Sequence, residues 1–205
     1  MSDIAEAGRP AGLRERKKAR TRASIREHAL RLFREQGYSA TTVEQIAAAA
    51  EISPATFFRY FPTKEDVVLQ DDFDLVTMEL IEAQPPELGP VAAFRAAAAQ
   101  MLASVSPDEL ERIKEGMELT ARVPEIRARA LDEFARTIDQ IAGPLAARAG
   151  RSADDFAVRA LAGAIIGVIM AATMPWGLAG EEIDVAAMFG RIDAGLAQLE
   201  QGLPL

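Results

Sequence analysis

The chain of 205 residues contains no cysteine and a single histidine, His28. The absence of cysteine excludes disulfides, thiolate metal sites and cysteine nucleophiles, so packing alone must stabilise the fold. One histidine is too few for a histidine-rich metal centre and argues against serine–histidine catalysis. We therefore expect no metal, no cofactor and no enzymatic activity, and an α-helical enzyme is the remote alternative.

Strand-like alternation of apolar and polar residues is also lacking, whereas apolar residues recur at helical spacing from about residue 14 onward. The pattern predicts an all-α protein. We expect a flexible segment at 1–13, a small helical domain at 14–66, and a larger helical domain at 67–205 that includes helices near 91–105, 107–122, 124–149, 153–174 and 183–200.

Long apolar runs are rare. Residues 1–13 lack the apolar stretch of a secretory signal, which favours a cytoplasmic location. Residues 160–180 carry no charge, but Pro175 and Gly177 are expected to end a helix near Met174. The remaining helix would measure roughly 22 Å against a hydrocarbon core of about 30 Å, so we expect a buried helix and no membrane span.

The net charge of −8 hides an uneven distribution. Residues 1–66 carry 12 Lys or Arg against 9 Asp or Glu, a net of +3, whereas residues 67–205 carry a net of −11. Basic residues are densest between Arg9 and Arg22, which is typical either of a solvated tail or of a segment that meets phosphate. The first domain is thus the part of the chain suited to nucleic acid.

Three short helices are predicted within about fifty residues. The first ends at Gly37, the second is capped by Thr42 with Gln45 three residues on, and the third is capped by Ser53 with Pro54 at its first position. A fourth helix, capped by Thr63, follows. The tight connection between the second and third helices is typical of a helix-turn-helix, which presents its last helix to the major groove.

The residues in this register carry a resemblance. The segments Gly37-Tyr38, Thr41-Thr42-Val43, Ile46-Ala47, Ile52-Ser53, Thr56 to Phe61 and Lys64-Glu65 together resemble the N-terminal domain of the TetR family of transcriptional regulators across about residues 16–70. Two positions depart from the family pattern. Glu51 stands where glycine is usual, and a non-glycine residue at positive φ costs roughly 1 kcal/mol. Phe58 stands where tyrosine is common.

The resemblance implies a homodimer that binds a double-stranded DNA operator. Base edges would be read near the start of the third helix, where small apolar groups meet thymine methyls, and phosphates would be held nearby. Thr42 is open to a phosphate or a purely capping role, and Phe58 to contact with sugar or a thymine methyl or to partial burial. For Tyr60 and Lys64 the alternatives to phosphate contact are a half-buried ring and a plain surface charge. The expected DNA-binding residues are Arg20, Arg22, Thr42, Ser53, Pro54, Ala55, Thr56, Phe58, Arg59, Tyr60 and Lys64.

Small residues recur at spacings of three and four along the helix near 153–174, which leaves one face smooth enough for another backbone to approach closely. The family pairs its subunits through this helix and the last one, although tight packing within one subunit is the alternative. The expected interface residues are Ala160, Gly163, Ala164, Gly167 and Ala171.

The family also implies a small-molecule effector, and residues 122–176 look like the subgroup that binds acyl-CoA-like ligands. A DNA-binding regulator without an effector is the alternative, and each apolar candidate alone is also compatible with plain core. The candidate pocket residues are Phe73, Met78, Phe94, Met101, Met117, Arg122, Phe134, Met170, Met174 and Trp176, with Arg127 as a second cation for an anionic head group.

Overall fold

The computed structural model describes residues 13–69, 73–178 and 183–203, and in these residues every regular element is a helix. The chain divides into two compact units, Met1–Val67 and Val68–Leu205. The all-α fold class is confirmed. Residues 1–12, which make up nearly all of the expected flexible segment, lie outside the described residues, as do the side chains of Phe73, Met174 and Trp176.

The first unit contains three helices, α1 (Leu13–Gln36), α2 (Val43–Ala49) and α3 (Pro54–Tyr60), and the start of a fourth, α4 (Asp66–Leu69). They close around a small apolar core because each helix directs its apolar side chains inward. The largest of the fully buried side chains are Ile25, Ile46, Phe57, Phe61 and Val67.

Local caps set the helix ends in this unit. Gly37 takes φ +85 after α1. The capping box of Thr42 and Gln45 is formed at the start of α2, and Ser53 caps α3 with Pro54 at its first position. Thr63 and Asp66 exchange hydrogen bonds, Thr63 N to Asp66 Oδ2 at 3.0 Å and Asp66 N to Thr63 Oγ1 at 3.2 Å. These reciprocal pairs fix how the short helices begin.

The connection between α2 and α3 is a Schellman motif, in which the amide of Ile52 donates to Ala47 O at 2.9 Å and that of Glu51 to Ala48 O at 3.2 Å. Glu51 occupies the left-handed position with φ 55. The turn therefore keeps the geometry that glycine would favour, with a glutamate in that place.

The second unit consists of α5 (Phe73–Ala83), α6 (Pro90–Ser104), α7 (Pro107–Arg122), α8 (Pro124–Ala149), α9 (Phe156–Leu178) and α10 (Val185–Glu200). Helix α9 packs against α7, α8 and α10, and α6 packs against α5, α8 and α10. The shared core is aliphatic, and its fully buried members include Ile81, Ala97, Leu145, Ile165 and Leu196.

Helix α8 is assigned as one continuous helix through the internal Pro144. An internal proline costs about 3 kcal/mol, but burying one Ile or Leu side chain contributes about 1.5–3 kcal/mol. Ile141 and Leu145 flank Pro144 and are both buried, as are Ala142 and Ala146. The packing of this turn outweighs the lost hydrogen bond.

Helix α9 differs from its expected bounds at both ends. It begins at Phe156, where Asp155 Oδ1 accepts from Ala157 N at 2.8 Å and caps the first turn. It continues through Pro175 to Leu178, so the expected end near Met174 is wrong. The helix continues although Pro175 lacks the N–H for one backbone hydrogen bond and its ring opposes the carbonyl four residues earlier.

The longer α9 also overturns the length argument against a membrane span. Its 23 residues measure about 34 Å, and within it the stretch Phe156–Thr173 is the one candidate span among the described residues by length and composition. This is weak evidence, because the core helix of a soluble protein passes the same test. Here α9 packs against three other helices of its unit.

Candidate nucleic-acid interface

The N-terminus of α2 presents Thr42 at the surface. Its Oγ1 accepts from Gln45 N at 3.2 Å, and its own amide donates to Gln45 Oε1 at 2.9 Å. The side chain therefore acts as the cap, while its hydroxyl proton remains able to donate outward. The positive end of the helix dipole lies at the same place and favours an anion.

The outward face of α3 is small and apolar at its start. Pro54 and Ala55 are exposed, and Thr56 is half-buried. Thr56 N donates to Ser53 Oγ at 3.1 Å, and the two hydroxyls lie 3.0 Å apart. Ser53 is thus occupied in capping, and the methyl and methylene groups of its neighbours form the surface that a groove would meet.

Two aromatic neighbours on α3 have opposite environments. Phe57 is fully buried, whereas Phe58 is 50% exposed and packs its ring against Phe57 at 88°. Half of the Phe58 ring therefore stays available to a ligand, and the other half is covered by the unit itself. Both of the contacts expected for Phe58, with sugar or with a thymine methyl, are sterically open.

The cations near α3 fall into two groups. Arg20 on α1 and Arg59 on α3 are exposed, and the Arg59 guanidinium lies 5.5 Å from the centre of the half-buried Tyr60 ring. Arg22 is half-buried, with its guanidinium 5.0 Å from the centre of the Phe61 ring. Stacking on a ring holds a guanidinium in place while leaving its edge able to donate.

Lys64 lies in a different environment from an exposed phosphate anchor. Its Nζ donates to the backbone carbonyls of Tyr38 and Thr41, at 2.9 Å each, and lies 3.9 Å from the centre of the Tyr38 ring. The loop between α1 and α2 is therefore gripped by the residue that precedes α4. Sequence spacing alone carries no signal for this contact, because the partners are backbone atoms more than twenty residues away.

Glu65, next to Lys64, accepts a short hydrogen bond from the hydroxyl of Tyr38. Burial raises the pKa of this carboxyl, but the Tyr38 hydroxyl, backbone and Thr63 donors, and the charge of Lys64 outweigh burial, so the pKa lies below its ordinary value. The glutamate is thus held ionised beside the loop.

The apolar pocket candidates whose side chains are described belong mainly to one cluster. Phe94 and Met101 are buried, and four others are half-buried against the core of the second unit: Met78, Met117, Phe134 and Met170. No residue of α7, which is described along its whole length, is fully buried, although this helix contacts α8, α9 and α10. The side chains of α7 are therefore all at least partly open to solvent in the single chain.

The two candidate cations for an anionic head group are used differently. The Arg122 side chain is 76% exposed, and its Nη2 lies 3.6 Å from Oε2 of Glu118. Arg127 donates from Nη1 to Ala121 O at 2.9 Å, so it caps the end of α7. Of the two, Arg122 keeps more of its guanidinium open to solvent.

The small residues of α9 lie on an open face in the single chain. Ala160, Gly167 and Ala171 are exposed, and Gly163 and Ala164 are half-buried. A Cβ atom built on Gly163 or Gly167 meets nothing within 4 Å. Gly163 and Gly167 therefore have no close-packed neighbour within the described part of the chain.

Two exposed features, one on α9 and one on α10, were not predicted from the sequence. Phe156 lies on the same stripe, four residues before Ala160, and is 84% exposed. On α10, Gly190 and Ala194 are exposed one turn apart, and a Cβ on Gly190 meets nothing within 4 Å. The helical spacing could have revealed both, since each continues a row of small or apolar residues.

The sequence and structure were compared with known proteins. The family model described as "Bacterial regulatory proteins, tetR family" matches residues 25–70, and that described as "MftR C-terminal domain" matches residues 88–204. The chain belongs to the TetR family of transcriptional regulators. The resemblance found in the helix-turn-helix residues is confirmed, and the chain is a DNA-binding transcriptional regulator.

Two curated TetR-family relatives resemble the chain over much of its length. The HTH-type transcriptional regulator TcmR of Streptomyces glaucescens is 38% identical over 70% of this chain and 67% of that protein. The putative mycofactocin biosynthesis transcriptional regulator MftR of Mycobacterium tuberculosis is 29% identical over 91% and 96%. These relatives are regulators rather than enzymes.

A solved structure in the TetR family has the same fold. The Thermus thermophilus repressor FadR, in complex with lauroyl-CoA, is 25% identical with a TM-score of 0.51, and the match covers 90% of this chain and 95% of that one. The arrangement of an N-terminal helix-turn-helix followed by a helical body is confirmed.

Proposed function

We propose that this TetR-family regulator is a cytoplasmic repressor that binds a palindromic operator as a homodimer and releases it when a small, largely apolar effector binds. The observation that carries the proposal is the exposed N-terminal surface of α3 beside the capped N-terminus of α2. A dimer places two such surfaces on successive major grooves, one for each half-site.

Within this surface we assign base contacts to the start of α3. Pro54 and Ala55 offer apolar contact to thymine methyls, Thr56 offers a hydroxyl, and Arg59 lies within one turn of them. Phe58 adds van der Waals contact through its exposed edge. These side chains would decide which operator is bound.

Phosphate contacts come from the surrounding polar groups. Thr42 donates its hydroxyl at the N-terminus of α2, while Arg20, Arg22 and Tyr60 lie on the adjoining helices. Such contacts position the protein without reading sequence, and each one adds to the salt dependence of binding. The basic first unit can thus bind DNA although the whole chain is acidic.

The dimer is assigned to the exposed small-residue face of α9, which we call the α9 face (Ala160, Gly163, Ala164, Gly167 and Ala171), together with α10. Small side chains let a second backbone approach closely, and an isologous pairing would bury the same face on both subunits. The exposed ring of Phe156 at one end of the face adds apolar area to bury.

The effector is assigned to the apolar side chains around α7, with Arg122 for an anionic head group. The half-buried Met117, Phe134 and Met170, which lie against the core of the second unit, support a ligand there, and the FadR structure with lauroyl-CoA supports an acyl-CoA-like molecule. A ligand that binds only one conformation shifts the dimer toward that conformation, and DNA release follows if that conformation separates the half-site readers.

A mobility-shift assay on the DNA upstream of the protein's own gene tests the operator proposal. Arg59→Ala is expected to reduce discrimination between this DNA and an unrelated duplex, because a base contact specifies. Arg20→Ala is expected to weaken binding to both duplexes alike, with a salt slope smaller by about 1. Arg151→Ala, in the second unit, serves as the control, and equal binding of both duplexes by the unaltered protein would refute the proposal.

A thermal-unfolding screen with acyl-CoAs, fatty acids and hydrophobic drugs tests the effector proposal. A bound ligand raises the melting temperature in proportion to the logarithm of its concentration. A hit must also release the operator in the mobility-shift assay. If no compound raises the melting temperature, a DNA-binding regulator without an effector becomes the better description.

A further inference from the structure

We propose that Lys64 is a positioning residue for DNA binding: it orients the peptide group before Thr42, and with it the first turn of α2, and does not itself hold a phosphate. The inference rests on the proposed role of the α2 N-terminus as a phosphate anchor. It replaces the phosphate contact that the family resemblance implies for this lysine.

The ammonium group of Lys64 is surrounded by interaction partners within the first unit. Two of its three N–H groups have carbonyl acceptors, Tyr38 O and Thr41 O, both at 2.9 Å. The face of the Tyr38 ring, 3.9 Å away at its centre, takes up the remaining side. A lysine has three donors, so a phosphate would have to displace one of these partners.

The contact with Thr41 bears directly on α2. The peptide group between Thr41 and Thr42 has its oxygen on Lys64 Nζ at 2.9 Å and its N–H on Gln45 Oε1 at 2.9 Å. Gln45 is held in turn by Gln36 Nε2, also at 2.9 Å. The plane of this peptide is therefore fixed from both sides, and it sets the direction of the Thr42 side chain and of the first free amides of α2.

The buried side chain of Thr41 makes the loop respond as one piece. It is 1% exposed, and its hydroxyl donates to Gly37 O at 2.8 Å while accepting from Gln36 Nε2 at 3.1 Å. The Thr41 side chain therefore prevents the loop from rotating freely. Loss of the hydrogen bond between Lys64 and the Thr41 carbonyl should then shift Thr42 as well.

Lys64 is itself held by its neighbours. The reciprocal hydrogen bonds of Thr63 and Asp66 fix the start of α4, and Asp66 is fully buried. Tyr38 is held at two points: its hydroxyl donates to Glu65, and its ring lies against the ammonium of Lys64. This arrangement makes the lysine a fixed strut between α4 and the loop that precedes α2.

The salt dependence of DNA binding separates a strut from a phosphate ligand. Each cation that neutralises a phosphate contributes about 0.9 to the slope of log affinity against log salt concentration. A strut contributes affinity through geometry and leaves the slope unchanged. The full-length protein and a duplex selected in vitro with the unaltered protein are used to measure both quantities.

For Lys64→Met we expect a several-fold weaker affinity at every salt concentration and an unchanged slope. Lys18→Met on α1, which removes an exposed cation of the basic stretch, is the matched control for a direct phosphate effect, and its slope should fall by about 1 if Lys18 reaches the backbone. A slope that falls by about 1 in Lys64→Met would overturn the proposal, and so would an unchanged affinity.

Amide NMR shifts of the DNA-free protein give a second readout. Lys64→Met should move the Thr42 and Val43 amide signals, whereas Lys18→Met should not. Unmoved Thr42 and Val43 signals in Lys64→Met would contradict the strut. The proposed phosphate contact of Thr42 is tested separately with Thr42→Ala. Unchanged DNA affinity in that variant would refute the phosphate contact and not the strut.

If Lys64→Met does not fold, Lys64→Arg replaces it. A phosphate ligand should tolerate arginine, which binds phosphate well, so a phosphate contact predicts the affinity of the unaltered protein. A strut predicts weaker binding together with moved Thr42 signals, because a planar guanidinium cannot occupy the same point between two carbonyls and a ring. Retained affinity in Lys64→Arg would overturn the proposal.

Discussion

At the scale of single residues, Glu51 is the clearest conflict between local preference and fold. The same Schellman geometry ends α8 with Gly150 at φ 63 and follows α10 with Gly202 at φ 84. Of these three helix ends, that of α2 places a side chain in this position, with Glu51 at φ 55. The helix-turn-helix thus forms against a local strain that glycine avoids.

Replacing Glu51 by glycine should stabilise the protein by about 1 kcal/mol, because the left-handed conformation then costs no steric strain. Glu51→Ala is the matched control, since it removes the charge and keeps a Cβ atom. Chemical denaturation at neutral pH measures both variants. If alanine stabilised the protein as much as glycine, the charge and not the backbone angle would be the source.

Glu65 gives the protein a pH dependence of stability. Its pKa is lowered in the folded state from an ordinary value of 4.5, so folding favours the ionised carboxylate. The resulting stabilisation is fully present above about pH 4.5 and is lost as the pH falls through the lower folded pKa.

We therefore expect Glu65→Gln to lose less stability than the unaltered protein between neutral pH and about pH 3. Denaturant midpoints at a series of pH values measure this difference. Glu82→Gln on α5 replaces an exposed carboxylate as the control. Parallel curves for Glu65→Gln and the unaltered protein would show that Glu65 does not contribute.

At the scale of elements, the close approach of α9 and α10 depends on one glycine. A Cβ on Gly195 would lie 2.6 Å from Val168 Cγ1, which is closer than real Cβ atoms come. Valine is stiff at χ1 in a helix, so its methyl cannot simply turn away. The glycines of α9 that looked suited to close packing, Gly163 and Gly167, have no such neighbour within the chain.

Gly195→Ala should therefore destabilise the second unit by about 1–3 kcal/mol, the usual cost of overpacking. Gly190→Ala, on the same helix and without a neighbour within 4 Å, is the control and should gain helix propensity of about 0.5–1 kcal/mol. Thermal unfolding at a fixed protein concentration compares them. Equal stability of the two variants would mean that α10 shifts away from Val168 without cost.

Long-range contacts also decide how α5 ends. The guanidinium of Arg148 on α8 donates to Ile81 O at 2.6 Å, Gln84 O at 2.6 Å and Pro85 O at 2.9 Å. It satisfies carbonyls that a helix C-terminus leaves without intrahelical partners. Nothing in the spacing of Arg148 and these residues, which lie more than sixty positions apart, indicates this cap.

At the scale of the whole molecule, the proposed dimer accounts for the apolar surface that a single chain leaves exposed. Phe156 at 84% exposure and the α9 face form one stripe along the helix. A contiguous row of exposed apolar residues, unlike a single one, is typical of an interaction site. A second copy covering the stripe would also make two DNA-binding units available to a palindrome.

Gly167→Leu is expected to shift the protein toward monomers in analytical ultracentrifugation at micromolar concentration and to weaken operator binding. The single chain has room for the new side chain, because a Cβ on Gly167 meets nothing within 4 Å, but a partner helix on this face would not. Ala103→Leu, on an exposed position of α6, is the control. Dimers that persist in Gly167→Leu would move the interface elsewhere.

Features that depend on neighbours within a few residues can be predicted from the amino-acid sequence alone. The caps of α2, α3 and α7, the end of α1 at Gly37 and the register of the helix-turn-helix all follow from interactions between residues three to five positions apart. The family resemblance rests on the same local register. Such signals can be read from one chain without knowing what packs against it.

Features that depend on distant partners became visible in the folded chain and not in its sequence. Local rules weigh the cost of Pro144 but not the burial of Ile141 and Leu145 that offsets it, so α8 is undivided. Spacing along the chain also did not predict that α9 continues through Pro175 to Leu178. The same limit applies to Lys64, whose position beside Thr42 in the folded unit turns an expected phosphate ligand into a candidate strut. Whether a polar atom meets solvent, DNA or a backbone carbonyl is settled by packing between elements, which spacing along the chain does not encode.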